Sequence, residues 1–354
     1  MIRRCWTLGL SAALLAGCGD AGGPSAPTRS FRMGFSAIPP APDPALLIPT
    51  MTLWMQRADA GLVQLSIPWD VLLADTAAAV EVRLARLPLV DFFRAHGLKI
   101  FVALDVTDGL NRAAEDPVLV SLGRSITDTA VQRRYREYVA AVDTILHPDY
   151  LSLAAETNLV RLTAPAPAYD AVVTMTNDAA RETNARGTTA RLLVSVQVET
   201  AWGRLQGGTT YLGVARDLAD FPFVEALGLS SYPYLAGFTD PDSLPLDYYR
   251  RLVQGTTLPV VVLEGGWTSI SLNGIVSDPA KQARYIRRHA ELVGQTPVAG
   301  LFQITFTDLD LSGITLPPGS ILPLFAHLGL VDSALGPKPA LAGWDSVFER
   351  SYRP

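Results

Sequence analysis

Eight short, nearly continuous apolar runs punctuate the chain, at residues 31–38, 61–69, 98–106, 150–158, 191–199, 226–234, 258–267 and 299–308. Runs such as "LKIFVALDV" and "LPVVVLEGGW" have no polar alternate face. That is the pattern of strands covered on both sides. The stretches between them change period. In 127–148, Val131, Tyr135, Tyr138, Val142 and Ile145 recur at three- and four-residue steps, and Pro148 closes the pattern. Residues 277–294 open on Ser277, Asp278 and Pro279, an N-cap and first helical turn, and end on Gly294.

Eight strand-then-helix units predict an α/β fold, a single-domain (β/α)8 TIM barrel over 31–354. An open doubly wound sheet is the structural alternative. It predicts a glycine-rich phosphate turn after the first strand, and "MGFSAIP" holds one glycine.

Composition narrows the function. Of the 354 residues 49% are hydrophobic, and the net charge is −5 with no basic run, which argues against nucleic acid. Four scattered histidines give no metal-ligand spacing, so neither a metal nor a cofactor is expected. The N-terminus adds a location. Arg3 and Arg4 precede a short apolar segment, Trp6 to Leu15, and then "LAGC". This resembles the lipobox of bacterial lipoproteins, which implies cleavage after residue 17 and lipidation of Cys18. Residues 1–17 are then a signal peptide and 18–30 a Gly/Ala/Pro/Ser tether. Loss of Cys5 leaves no second cysteine for a disulfide. The expected protein is exported and membrane-anchored, periplasmic or at the cell surface.

In such a barrel the functional face lies at the C-terminal strand ends. The acids there are Asp70, Asp105, Glu156, Glu199, Glu264 and Asp308, accompanied by Trp69, Trp202, Tyr232, Tyr234, Trp267 and Phe306. Carboxylates ringed by aromatic residues suit a sugar, and two carboxyl groups suffice to cleave a glycosidic bond. Some of these acids have simpler explanations. Asp70 and Asp308 suit helix N-caps, Asp105 a loop tie, and Glu199 a solvated position; Tyr232 and Trp267 suit rim packing. Glu156 and Glu264 resist such accounts, because an unpaired carboxylate within an apolar run costs several kcal/mol.

"LAAETN", "VVLEGGW", "LGLSSYPY", "LFQITFTDLD" and the closing segment 325–344 together resemble the (β/α)8 glycoside hydrolases of clan A, among them β-galactanases, β-mannanases and cellulases. The resemblance implies Glu156 as general acid/base at the end of strand 4 and Glu264 as nucleophile at the end of strand 7. It also implies a Tyr232 contact to the nucleophile and a retaining mechanism with carboxyls ~5–5.5 Å apart. Glu156 is then expected to be the more shielded and more readily protonated of the two.

Two departures stand out. Ala155 occupies the place where the clan has asparagine, with Asn158 as the expected substitute, and Phe306 stands where a tryptophan is common. Trp69, Trp267 and Glu199 complete the expected sugar-binding set, and Gly265 and Gly266 are expected to leave room for the sugar. The expected partner is an oligo- or polysaccharide. A non-catalytic carbohydrate-binding lipoprotein on the same barrel is the competing function. A metal-dependent esterase is disfavoured by the lack of strand-end histidines.

Overall fold

The structure is a computed structural model and describes residues 27–354; the expected signal peptide, Cys18 and most of the tether lie outside the described residues. Eight parallel strands close into a barrel. They are β1 (Arg32–Ser36), β2 (Ala60–Ser66), β3 (Lys99–Asp105) and β4 (Tyr150–Ser152). After these come β5 (Arg191–Gln197), β6 (Ala226–Ser231), β7 (Val260–Gly265) and β8 (Val298–Gln303). Each apolar run matches one strand in sequence order, β2 and β8 starting one residue before theirs, and β8 pairs back to β1 with Arg32 opposite Gly300. The fold is the expected (β/α)8 barrel.

The helices form where the periodicity placed them. Thr129–Leu146 turns Val131, Tyr135, Tyr138 and Val142 inward. Pro279–Val293 starts on Asp278, whose carboxylate accepts from the Lys281 amide at 2.7 Å. Such a cap is worth about 1 kcal/mol.

The apolar residues form two layers. Inside the barrel, Leu62, Phe101, Leu193, Val261, Leu263 and Phe302 make one cluster, with Phe101 stacked on Tyr150 at 4.5 Å. Outside it, the opposite strand faces pack against the helices, as Val260 and Val262 do. Packing is tight enough to require Gly34: a Cβ there would lie 2.0 Å from the Ala60 carbonyl oxygen.

The expected tether ends earlier than residue 30. Thr28–Arg29 pair in parallel with Ser351–Tyr352. Arg29 is buried, binds Asp59 at 2.8 Å and lies over Phe348, so Thr28 and Arg29 pack against the C-terminal segment.

Candidate active site

Strict alternation along β7 would turn Glu264 away from the barrel mouth. Val261 and Leu263 face the interior, and Val260 and Val262 face the helices. Glu264 would then join the outward pair. A bulge prevents this. Leu229 of β6 sits opposite Val262, but the next residue, Ser230, sits opposite Glu264, leaving Leu263 as the extra residue. The inserted residue re-aims the side chains beyond it. Glu264 thereby reaches a cleft of about 260 Å³ at the C-terminal end of the barrel, which Glu156 also lines.

Glu156 arrives by a different device. After β4 the chain runs through Leu153, Ala154 and Ala155, then turns sharply into the helix Thr157–Thr163. Glu156 occupies the turn with φ +47° and ψ +44°, a left-handed conformation that costs a non-glycine residue about 1 kcal/mol or more. The Ser195 hydroxyl holds the turn by accepting the Glu156 amide at 2.9 Å. Strain of this kind is retained where a side chain must point one way.

The two carboxylates have different partners. Glu264 accepts from the Tyr232 hydroxyl at 3.1 Å and from Nε2 of Gln64 at 2.9 Å. Gln64 is itself fixed by Ser36, whose hydroxyl donates to Oε1 at 2.6 Å. Glu156 accepts from Nε of Arg112 at 2.9 Å. Nη1 of the same guanidinium binds both oxygens of Asp105, at 2.6 and 2.7 Å. The Arg112 side chain is only 5% exposed. Burial opposes its charge, but Asp105 and Glu156 together hold it more firmly protonated than a free arginine.

Three acids around one guanidinium leave negative charge in excess, and Glu264 carries the consequence. Burial pushes its carboxyl up to about 7, helped by the charge of Glu156, while Arg112 and the Tyr232 hydrogen bond pull the other way. Burial thus favours the protonated form of the Glu264 carboxyl. Glu156, expected to carry the proton, is instead held in a buried ion pair with Arg112.

Several expected sugar contacts are elsewhere. Trp69, Trp267 and Phe306 are at most 1% exposed and belong to the core; Trp267 donates to Ser277 at 3.1 Å, and Phe306 packs edge-on against Phe35. Asn158 is 1% exposed, and its amide clamps Gln197: it donates to that carbonyl at 2.9 Å and accepts its N–H at 2.8 Å. It cannot replace the missing asparagine at position 155. Glu199, expected to be solvated or sugar-bound, is fully buried beneath the site. It accepts from Ser231, from the Tyr232 amide and from Tyr248 at 2.8–3.0 Å. Burial raises its pKa while those donors resist the rise.

The space beside Gly266 is taken as well. A Cβ there would meet the Gln303 amide nitrogen at 2.9 Å, so this glycine serves packing rather than a ligand. Asp308 anchors the closing segment through Lys338 at 2.6 Å, and Asp70 lies exposed in the first turn of a short helix. Of the expected set, Glu156, Glu264 and Tyr232 line the cleft. Gln64, Arg112 and Gln197 were not anticipated. Gln64 had a signal: it is the one polar side chain between Gly61 and Leu65 in the run "GLVQL".

Among the described residues no group of three or more His, Cys, Asp or Glu side chains is placed to hold a metal ion. Likewise, no described helix is long and apolar enough to cross a membrane.

Neither a protein-family model nor a curated protein matches the sequence. Solved structures do. An exo-β-1,4-mannosidase from Opitutaceae bacterium strain TAV5 superposes with a TM-score of 0.66 at 18% identity, over 91% of this chain and 59% of that one. The structural neighbours are glycoside hydrolases. A GH5_18 protein from Bifidobacterium longum subsp. longum, solved with Manb1-4GlcNAc, gives 0.61 at 15% identity over 92% and 80%. Xylanase10C from Cellvibrio japonicus gives 0.59 at 11% identity over 92% and 72%. The chain thus spans 59% of the mannosidase's length, and at these identities the likeness establishes the barrel fold.

Proposed function

We propose that the protein is a retaining glycoside hydrolase acting on a β-linked glycoside. The observation that carries this reading is the convergence of Glu156 and Glu264 on one cleft, from the ends of β4 and β7, with Tyr232 bonded to Glu264. Glu264, ionised and steered by Tyr232 and Gln64, attacks the anomeric carbon. As the bond to the leaving oxygen breaks, Glu156 gives that oxygen its proton, and the sugar becomes an ester of Glu264. Glu156 then takes a proton from a water molecule that attacks the same carbon, and Glu264 leaves as the carboxylate. Substrate binding must free Glu156 from Arg112 to the extent that it can carry the proton; Asp105 is the anion that retains the guanidinium.

A second reading has one observation in its favour. The Arg112–Glu156 ion pair is buried, so the Glu156 carboxyl already has a cation as its partner. That supports a barrel that binds carbohydrate without cleaving it. Release of nitrophenol from a panel of nitrophenyl β-glycosides separates the two. Hydrolysis that is lost in Glu264→Ala supports the enzyme, and binding of sugars without turnover supports the second reading. We also place the protein at a bacterial membrane, held by lipid on Cys18; Cys18→Ser should release it from membranes or block its processing.

A further inference from the structure

The cleft is divided into a polar floor and an apolar wall. Arg112, Glu156, Gln197, Glu264 and Tyr232 gather at the strand ends. Of the seventeen lining residues among those described, ten are leucine, isoleucine or phenylalanine, and Thr305 is the only polar side chain of that set beyond the floor. Among the described residues no tryptophan lines the cleft, and Tyr232 is 4% exposed, its ring edge-on to Phe325 at 5.0 Å. A polysaccharide presents hydroxyls along its whole length, and this wall has almost nothing to bond them.

The wall does not stop at the cleft. A second groove of about 260 Å³ adjoins it and shares Ile38, Leu309 and Leu322 with it. The groove runs between residues 38–42 and 309–322, joined where the Asp310 amide donates to the Pro40 carbonyl at 2.6 Å. Its one charged lining residue, Asp310, has its carboxylate occupied by the Ser312 amide at 2.9 Å. Along this path Leu110, Ile321 and Ile314 are 42%, 39% and 36% exposed. A continuous apolar surface that begins at two catalytic carboxylates marks a ligand groove.

The geometry points to an amphipathic glycoside as the substrate, with its sugar on the polar floor and a hydrocarbon aglycone lying along the Ile38–Ile314–Ile321 groove. This rests on the glycosidase reading of the site and narrows its substrate class away from unsubstituted polysaccharide. The polar and apolar halves each match one part of such a molecule. Hydroxyls meet Glu264, Gln197 and Arg112, and the chain leaves water for leucine and isoleucine side chains.

The test compares methyl and octyl β-glycosides of glucose, galactose and mannose, below micellar concentration, by calorimetry on the full chain carrying Glu264→Gln. For the preferred sugar the octyl glycoside should bind at least about 30-fold more tightly, well below the limit for seven fully buried methylenes. Ile321→Asn and Ile314→Asn, both at exposed positions, should each weaken octyl binding several-fold, and Ile314→Asn, in the outer groove, should leave methyl binding unchanged. Equal affinities, tighter binding of an unsubstituted oligosaccharide, no binding of any of these glycosides, or indifference to both asparagine variants would overturn the groove. Turnover by the wild-type protein is read separately. Octyl binding without octanol release keeps the groove and removes the hydrolase, whereas hydrolysis with the same kcat/KM for both aglycones keeps the hydrolase and removes the groove.

Discussion

Arg112 holds Glu156 and Asp105 in one buried cluster, 2.9 Å from the first and 2.6 Å from the second, and so sets the charge balance of the whole cleft. Its removal leaves two acids facing each other without a counterion. Breaking a buried pair by deleting one partner costs about 3–5 kcal/mol. Arg112→Met should therefore lower the denaturation midpoint markedly, and Arg112→Lys, which keeps a cation between the acids, should lose less. Urea titrations of the two variants check this; equal losses would remove the electrostatic cause.

Glu264 makes a second stability prediction. Its carboxyl is raised from 4.5 to about 7 in the folded protein. The folded state therefore holds the proton more tightly than the unfolded one. This contribution is fully present below pH 4.5 and is lost as pH rises through 7. Glu264→Gln removes the titration. It should make the protein more stable than wild type at pH 8, by roughly 1–3 kcal/mol, with the difference shrinking towards pH 4. Paired melting curves across this range would show it, and a constant difference would contradict the raised carboxyl.

Activity should depend on the same group. A nucleophile must be ionised, so kcat/KM should rise with pH through the titration of the Glu264 carboxyl near 7. The Tyr232 hydroxyl pulls that carboxyl down. Tyr232→Phe should shift the acid limb to higher pH and lower kcat/KM by roughly 10- to 100-fold, the worth of a hydrogen bond to a charged group. An unchanged limb would mean that Tyr232 acts elsewhere.

Glu199 should behave as a structural acid. It is fully buried and its oxygens are bound by Ser231, Tyr248 and the Tyr232 amide. Glu199→Ala should cost about 2–5 kcal/mol in urea denaturation, because it leaves several buried donors without partners. Glu199→Gln, which keeps the shape, should retain the wild-type KM. A large rise in KM in that variant would restore the sugar contact expected from the sequence.

The barrel was legible because its signal is repeated eight times and each strand is buried on both faces, so the apolar runs are continuous. The meeting of Glu156 and Glu264 in one cleft was legible because an acid at the end of such a run is costly to bury without a partner. What was hidden depends on contacts made across the barrel. Arg112 lies 44 residues before Glu156, in a loop whose course no local pattern describes. Trp69, Trp267 and Phe306 sit at the expected strand ends but turn into the core. At a strand end the side-chain direction depends on bulges and turns, and the bulge at Leu263 leaves no mark in composition. Asn158, the expected substitute for an asparagine at position 155, was already committed to Gln197. The apolar wall was missed because its residues come from separate loops and elements and meet only at the barrel mouth.

The central claim is that Glu264 becomes covalently bonded to the sugar. The direct measurement is mass spectrometry of the protein incubated with an activated 2-deoxy-2-fluoro β-glycoside, whose fluorine slows release of the intermediate. The account predicts one added fluoroglycosyl group, located by digestion on the peptide that contains Glu264 and absent in Glu264→Gln. A label on another acid, such as Asp105 or Glu199, or hydrolysis of a glycoside by Glu264→Gln at the wild-type rate, would contradict it.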